Sequence, residues 1–100
     1  MYDMKNMAKL AKLGELAPDA FKGFVAFDAA AFQGGVIPLK QKELIAVAVA
    51  LTTQCPYCIE IHSTRAKKVG ATERELAETT LITAALRVGG AITHGTHTLE

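Results

Sequence analysis

The sequence has no apolar stretch long enough to cross a bilayer. Its longest strictly apolar run, Leu44 to Leu51, falls far short of the ~20 residues that a spanning helix needs. The opening residues, Met1-Tyr2-Asp3-Met4-Lys5, lack the charged-then-apolar layout of a secretory signal. A soluble, cytoplasmic protein with no membrane partner is expected. An excess of charge of either sign is missing as well: 11 basic residues face 10 acidic ones, and Lys9, Lys12, Lys40, Lys42, Lys67 and Lys68 are scattered along the chain. With four Phe, two Tyr and no basic stripe, neither a phosphate-binding track nor a base-stacking platform can be assembled, which argues against a nucleic-acid partner. Internal repeats, low-complexity tracts and linkers are also lacking, so residues 1–100 read as one domain.

Cysteine is scarce too, but the two present, Cys55 and Cys58, are close together. In a reducing compartment such a pair is redox-active or metal-binding rather than a structural staple, and closing so short a loop would constrain the unfolded chain little. Apolar residues, by contrast, are abundant. They make up 50% of the chain, and the mean hydropathy is +0.21. A chain of this size buries a modest core, so the surplus predicts a homo-oligomer.

The punctuation is uniformly helical, and the fold class expected is all-α, with five to six helices. A weakly amphipathic segment runs from Asp3 to Leu13 and should stop at Gly14. Pro18 suits a first helical position and Asp19 the positive end of the helix dipole. Phe21, Phe24, Val25 and Phe32 then recur at helical spacing before Gly34-Gly35. From Leu39 to Leu51 the valines favour a strand, but the three alanines and the absence of turn signals favour a buried helix. Thr52-Thr53-Gln54 breaks that run. Pro56 then opens a fourth helix to about Val69, with Cys55 as its N-cap and Gly70 as its C-terminal stop. Thr72-Glu73-Arg74-Glu75 is a capping box opening a fifth helix to Gly89-Gly90, and the tail from Ala91 is a further short helix or disordered.

If Pro56 is the first helical residue, both sulfurs lie near unpaired N–H groups that stabilise a thiolate. His62 follows Cys58 by four residues and shares its helix face, and imidazole is the side chain best suited to move a proton near neutral pH. Helix-end physics makes Cys55 the more acidic thiol, whereas the spacing to His62 favours Cys58. The same residues admit a second chemistry, a zinc site in which His62 with His94 or His97 completes a Cys2His2 set.

Glu43, eleven residues, Cys55-Pro56-Tyr57-Cys58, three residues and His62: this spacing resembles the core of the AhpD-like alkylhydroperoxidases in the carboxymuconolactone decarboxylase family. The flanking segments Pro38 to Ala46 and Ala84 to Ala91 are similar as well, so the likeness covers most of the chain. The resemblance implies an all-helical subunit, assembled as a trimer or hexamer, that reduces hydroperoxides through a CxxC dithiol with no bound cofactor or metal. It implies that Cys58 attacks the peroxide and Cys55 resolves the sulfenic acid, with Glu43 and His62 forming a proton relay. A lipoyl-bearing or thioredoxin-like dithiol would return the electrons. Some members carry a histidine where this chain has Tyr57. Decarboxylases of the family act on a lactone and do not depend on a CxxC, which leaves that activity as the alternative.

Glu43 imposes a geometric condition. Twelve residues of continuous helix would separate it from Cys55 by about 18 Å. It joins the site only if the chain reverses near Thr52-Thr53. Glu43 then lies about 13 Å down one helix and His62 about 10 Å down the other.

Overall fold

The computed structural model describes residues 2–100 and contains five α-helices and, among the described residues, no strand. The helices are α1 (Leu10–Leu16), α2 (Pro18–Phe32), α3 (Leu39–Thr53), α4 (Pro56–Lys68) and α5 (Glu73–Gly95). None of them is long and apolar enough to cross a membrane. The chain falls into two compact units, Met1–Leu39 and Lys40–Glu100.

In the first unit a 3₁₀ segment, Met4–Lys9, leads directly into α1, and the Asp3 carboxylate accepts a hydrogen bond from the Lys5 N–H at 2.9 Å. Gly14 does not stop this helix, which continues to Leu16. The glycine serves packing instead: a Cβ there would lie 2.9 Å from Phe21 Cδ2, so the missing side chain makes room for the Phe21 ring on α2. Pro18 begins α2 as expected, and the rings of Phe21 and Phe24 sit 6.1 Å apart. With Leu10, Leu13, Ala17 and Ala20 they line an apolar groove of about 330 Å³.

The second unit carries the site. The apolar segment from Leu39 is helical despite its valines and buries Glu43, Val47 and Ala50 along one face, at helical spacing. It ends in a sharp reversal. The Cys55 N–H donates to the Ala50 carbonyl at 3.1 Å, and Gln54 takes the left-handed conformation with φ 56°. This is the Schellman arrangement, in which the residue after the left-handed one reaches back to an orphan carbonyl of the last turn. Helix α4 ends the same way: the Ala71 N–H bonds to the Ala66 carbonyl at 2.9 Å, with Gly70 at φ 97°.

The capping box opening α5 is complete. The Glu75 N–H donates to the Thr72 hydroxyl at 3.1 Å, and the Thr72 N–H donates to the Glu75 carboxylate at 2.9 Å. The Gly89-Gly90 stop is not realised, because α5 continues to Gly95, followed by a 3₁₀ turn at Thr96–Thr98. Two interior glycines weaken a helix by about 1 kcal/mol each without ending it, and here no left-handed residue follows to turn the chain.

Two links fix the register of α3 on α5. Lys40 Nζ pairs with Glu75 Oε2 at 2.9 Å, and Arg87 Nη1 donates to the Thr52 carbonyl at 2.6 Å. Both pairs span 35 residues. The two helices therefore run parallel, pinned at points twelve residues, or about 18 Å, apart. Helix α4, entered through the reversal at Gln54, runs back along α3.

Candidate active site

The reversal at Gln54 meets the condition set for Glu43. Its Oε1 lies 2.6 Å from His62 Nδ1, joining α3 to α4 across 19 residues of sequence. The Glu43 residue is only 3% exposed and the His62 side chain 16%. A carboxylate so far from water needs a partner, and His62 is that partner. With Nδ1 turned to Glu43, the other ring nitrogen, Nε2, faces away from that carboxyl group.

Cys55 occupies the N-cap of α4, with Pro56 at the first helical position. Both cysteines are free and half-buried, with their sulfurs 2.7 Å apart. The Cys58 N–H donates to the Cys55 sulfur at 3.3 Å, so Cys55 does with sulfur what serine or aspartate does with oxygen at other helix starts.

This arrangement splits the two thiols. Cys55 is held below its ordinary value, first by the hydrogen bond its sulfur receives from the Cys58 side chain, then by the Cys58 N–H, with the Tyr57 N–H adding a smaller effect against desolvation. Cys58 is pushed up to about 11, by the hydrogen bond to Cys55, by burial and by the Cys55 charge. The first proton lost by the pair thus leaves its charge on Cys55 while Cys58 keeps its hydrogen. Ionising Cys58 requires a base, and His62, one helical turn along α4, is on its face.

The structure therefore brings Glu43 and His62 together, and Cys55 and Cys58 together, on two adjoining helices. His94 and His97 lie elsewhere, at the end of α5 and the 3₁₀ turn after it, with ring centroids 5.7 Å apart. Among the described residues no group of three or more His, Cys, Asp or Glu is gathered as a metal site would require. Two contributors carried no signal of their own in the sequence. Gln54 gives none because glutamine is an uncommon choice for a left-handed position, and Arg87 is an isolated cation inside a long helix.

Comparison with known proteins agrees with this architecture. The sequence model described as the carboxymuconolactone decarboxylase family matches residues 18–100. A Paracoccus denitrificans protein called uncharacterized protein 4 in cox locus is 36% identical over 95 residues, covering 95% of this chain and 86% of that protein. A Cupriavidus necator protein is 38% identical over 78 residues, covering 78% of this chain and 67% of its own length. Among solved structures, the apo form of a carboxymuconolactone decarboxylase family protein from Legionella pneumophila superposes with a TM-score of 0.77 at 38% identity, covering 82% of this chain and 73% of that one. A protein from Methanobacterium thermoautotrophicum gives a TM-score of 0.82 at 30% identity, covering 86% of this chain and 97% of its own.

Proposed function

We propose that this chain, which belongs to the carboxymuconolactone decarboxylase family, is a thiol peroxidase of the cytoplasm that reduces hydroperoxides through Cys55 and Cys58. One observation carries the reading: two free thiols 2.7 Å apart at the start of α4, with His62 one turn further along the same helix and bonded to the buried Glu43 of α3.

In this cycle His62, oriented by Glu43, takes the Cys58 proton. The Cys58 thiolate attacks the terminal oxygen of the hydroperoxide and the O–O bond breaks. The sulfur is left as a sulfenic acid, and the alkoxide leaves as an alcohol with the proton held on His62. Cys55 then attacks the Cys58 sulfur, forming the S–S bond and expelling the hydroxyl as water. Two electrons and two protons from an external dithiol, a lipoyl-bearing or thioredoxin-like protein, reopen the disulfide. The active species is a trimer or hexamer of this chain, supported by the amount of apolar side chain left at the surface, including Phe27, Leu81, Ile82 and Leu86.

A peroxidase assay with hydrogen peroxide and an alkyl hydroperoxide, using dihydrolipoamide or thioredoxin as donor, tests the proposal. Turnover should vanish in Cys58→Ser; a fully active variant overturns it. The acidity of Cys55 favours a second reading, in which Cys55 is the attacking sulfur and Cys58 resolves. Trapping the sulfenic acid with a dimedone-type reagent decides between them. In the leading cycle Cys55→Ser accumulates the adduct on Cys58; in the second, Cys58→Ser accumulates it on Cys55.

A further inference from the structure

We infer that Arg87 is a positioning residue for the dithiol: by holding the end of α3 it fixes the turn that presents Cys55 at the start of α4. This rests on the proposed dithiol chemistry and extends it to a residue on a third helix.

The turn between α3 and α4 is minimal. Only Gln54 and Cys55 lie between the last residue of one helix and the first of the next. Gln54 is held in the left-handed region, where a side chain with a Cβ is disfavoured, and such a conformation persists only when the surroundings impose it. Several bonds of the segment are internal to it. The Thr52 hydroxyl donates to the Val49 carbonyl at 2.6 Å, the Thr53 hydroxyl to the Ala50 carbonyl at 3.3 Å, and the Cys55 N–H to the same Ala50 oxygen at 3.1 Å. These bonds shape the turn but do not anchor it to the rest of the unit.

Arg87 supplies an anchor from outside. Its guanidinium donates at 2.6 Å to the Thr52 carbonyl, one of the carbonyls that the end of a helix leaves without an intrahelical donor. A cation here also opposes the negative end of the α3 dipole, which points toward the turn carrying Cys55. Helix α5 thereby acts as a strut: Lys40–Glu75 sets the register at one end, and Arg87–Thr52 transmits it to the turn. The consequence for chemistry is specific. The Cys55 sulfur must stand at the N-cap to receive the N–H groups of Cys58 and Tyr57, and a tilt of the turn would take it away from them.

The test is alkylation of the reduced protein with iodoacetamide as a function of pH. The modified residue is identified by mass spectrometry, and the comparison covers the natural chain, Arg87→Ala and Arg87→Lys. Arg87→Ala should displace the Cys55 profile to higher pH and lower peroxide turnover about tenfold, as expected when a reacting group is mispositioned. Arg87→Lys, whose ammonium can still meet the Thr52 carbonyl, should recover most of both. Thermal midpoints measured alongside separate positioning from bulk stability. A lowered midpoint with an unmoved Cys55 profile in Arg87→Ala overturns the inference. Should that variant not fold, Arg87→Gln, which keeps a shorter neutral donor, carries the same comparison. Alkylation needs no peroxide, so the two proposals fail separately. A displaced thiol profile without turnover in the natural chain sinks the peroxidase and keeps Arg87 in its role, whereas turnover with an unmoved profile does the reverse.

Discussion

His62 Nδ1 stands 2.6 Å from Glu43 Oε1, and this bond ties the middle of α4 to the first half of α3. Because the Glu43 residue is 3% exposed, its carboxyl group is partnered by that imidazole rather than by water. His62→Ala should therefore destabilise the fold by about 1–3 kcal/mol, the cost of leaving a buried polar group without its partner. Glu43→Gln, which keeps a hydrogen-bonding side chain of the same length, should cost less stability but more activity, since an amide cannot serve as the acid–base partner in the proposed proton relay. Urea denaturation set beside peroxide turnover checks both. Equal stability losses in the two variants would contradict the role given to the carboxylate.

The opposed thiol acidities lead to a pair of reciprocal shifts. Cys58 is pushed up to about 11 chiefly by the hydrogen bond to Cys55, with burial and the Cys55 charge contributing. Cys55→Ala removes the first and last of these causes, so the Cys58 profile should move down while burial keeps it above the ordinary value of 9.0. Cys58→Ala removes the main cause of the Cys55 acidity, so the Cys55 profile should move up. Thiolate ultraviolet absorbance against pH reads each directly, and shifts of the same sign in both variants would break the coupling argument.

Glu75 is held below its ordinary value of 4.5, first by the Thr72 N–H of the capping box and then by Lys40. A carboxyl whose folded-state value is depressed contributes stability above its unfolded value, and that contribution is lost as pH falls below 4.5 through the folded value. Glu75→Gln keeps the bond to Thr72 but loses the charge. The variant should thus be less stable than the natural chain at neutral pH and show a flatter decline in urea midpoint on acidification. An unchanged slope below pH 4.5 would count against Glu75 as a contributor to acid sensitivity.

Helix boundaries were legible where a local motif sets them, and illegible where packing or a neighbour does. Pro18, Pro56, Gly70 and the Thr72–Glu75 box each announce a helix end through their own stereochemistry, and the structure places ends there. Gly14 and Gly89-Gly90 carry the same one-letter signal with a different cause. Gly14 yields space to Phe21, and the later pair is accommodated inside a helix that runs on. The Glu43–His62 contact was readable as a condition, because helix rise alone demanded a reversal. The means of that reversal was not, since a left-handed glutamine and an arginine arriving from 35 residues away leave no pattern in the local sequence.

Gln54 provides a direct comparison within one chain. At the equivalent position after α4 stands Gly70, with φ 97°, whereas Gln54 holds φ 56° with a full side chain. The left-handed region costs a residue bearing Cβ about 1–2 kcal/mol, part of which a glycine returns as unfolded-state entropy. Gln54→Gly should consequently raise stability by about 0.5–1 kcal/mol, seen as a higher urea midpoint with an unchanged slope. If the glutamine side chain made a compensating contact, the same substitution would lower the midpoint.

The surface of the second unit carries the case for self-association. Along α3 and α5, Ile45 is 51% exposed, Val49 54%, Ile82 62% and Leu86 68%, and these residues line two adjoining apolar grooves of about 320 and 180 Å³ with Leu44, Ala48 and Thr79. The face opposite Glu43, Val47 and Ala50 is therefore apolar as well, and the proposed assembly would cover it. Light scattering at micromolar concentration should give three or six times the chain mass, and a monomeric mass would refute the assembly. Ile82→Asp places a charge in the middle of the larger groove. It should shift the protein toward smaller species if a second copy covers that face. A variant that keeps the full assembly would move the interface elsewhere, with α2 the next helix to probe.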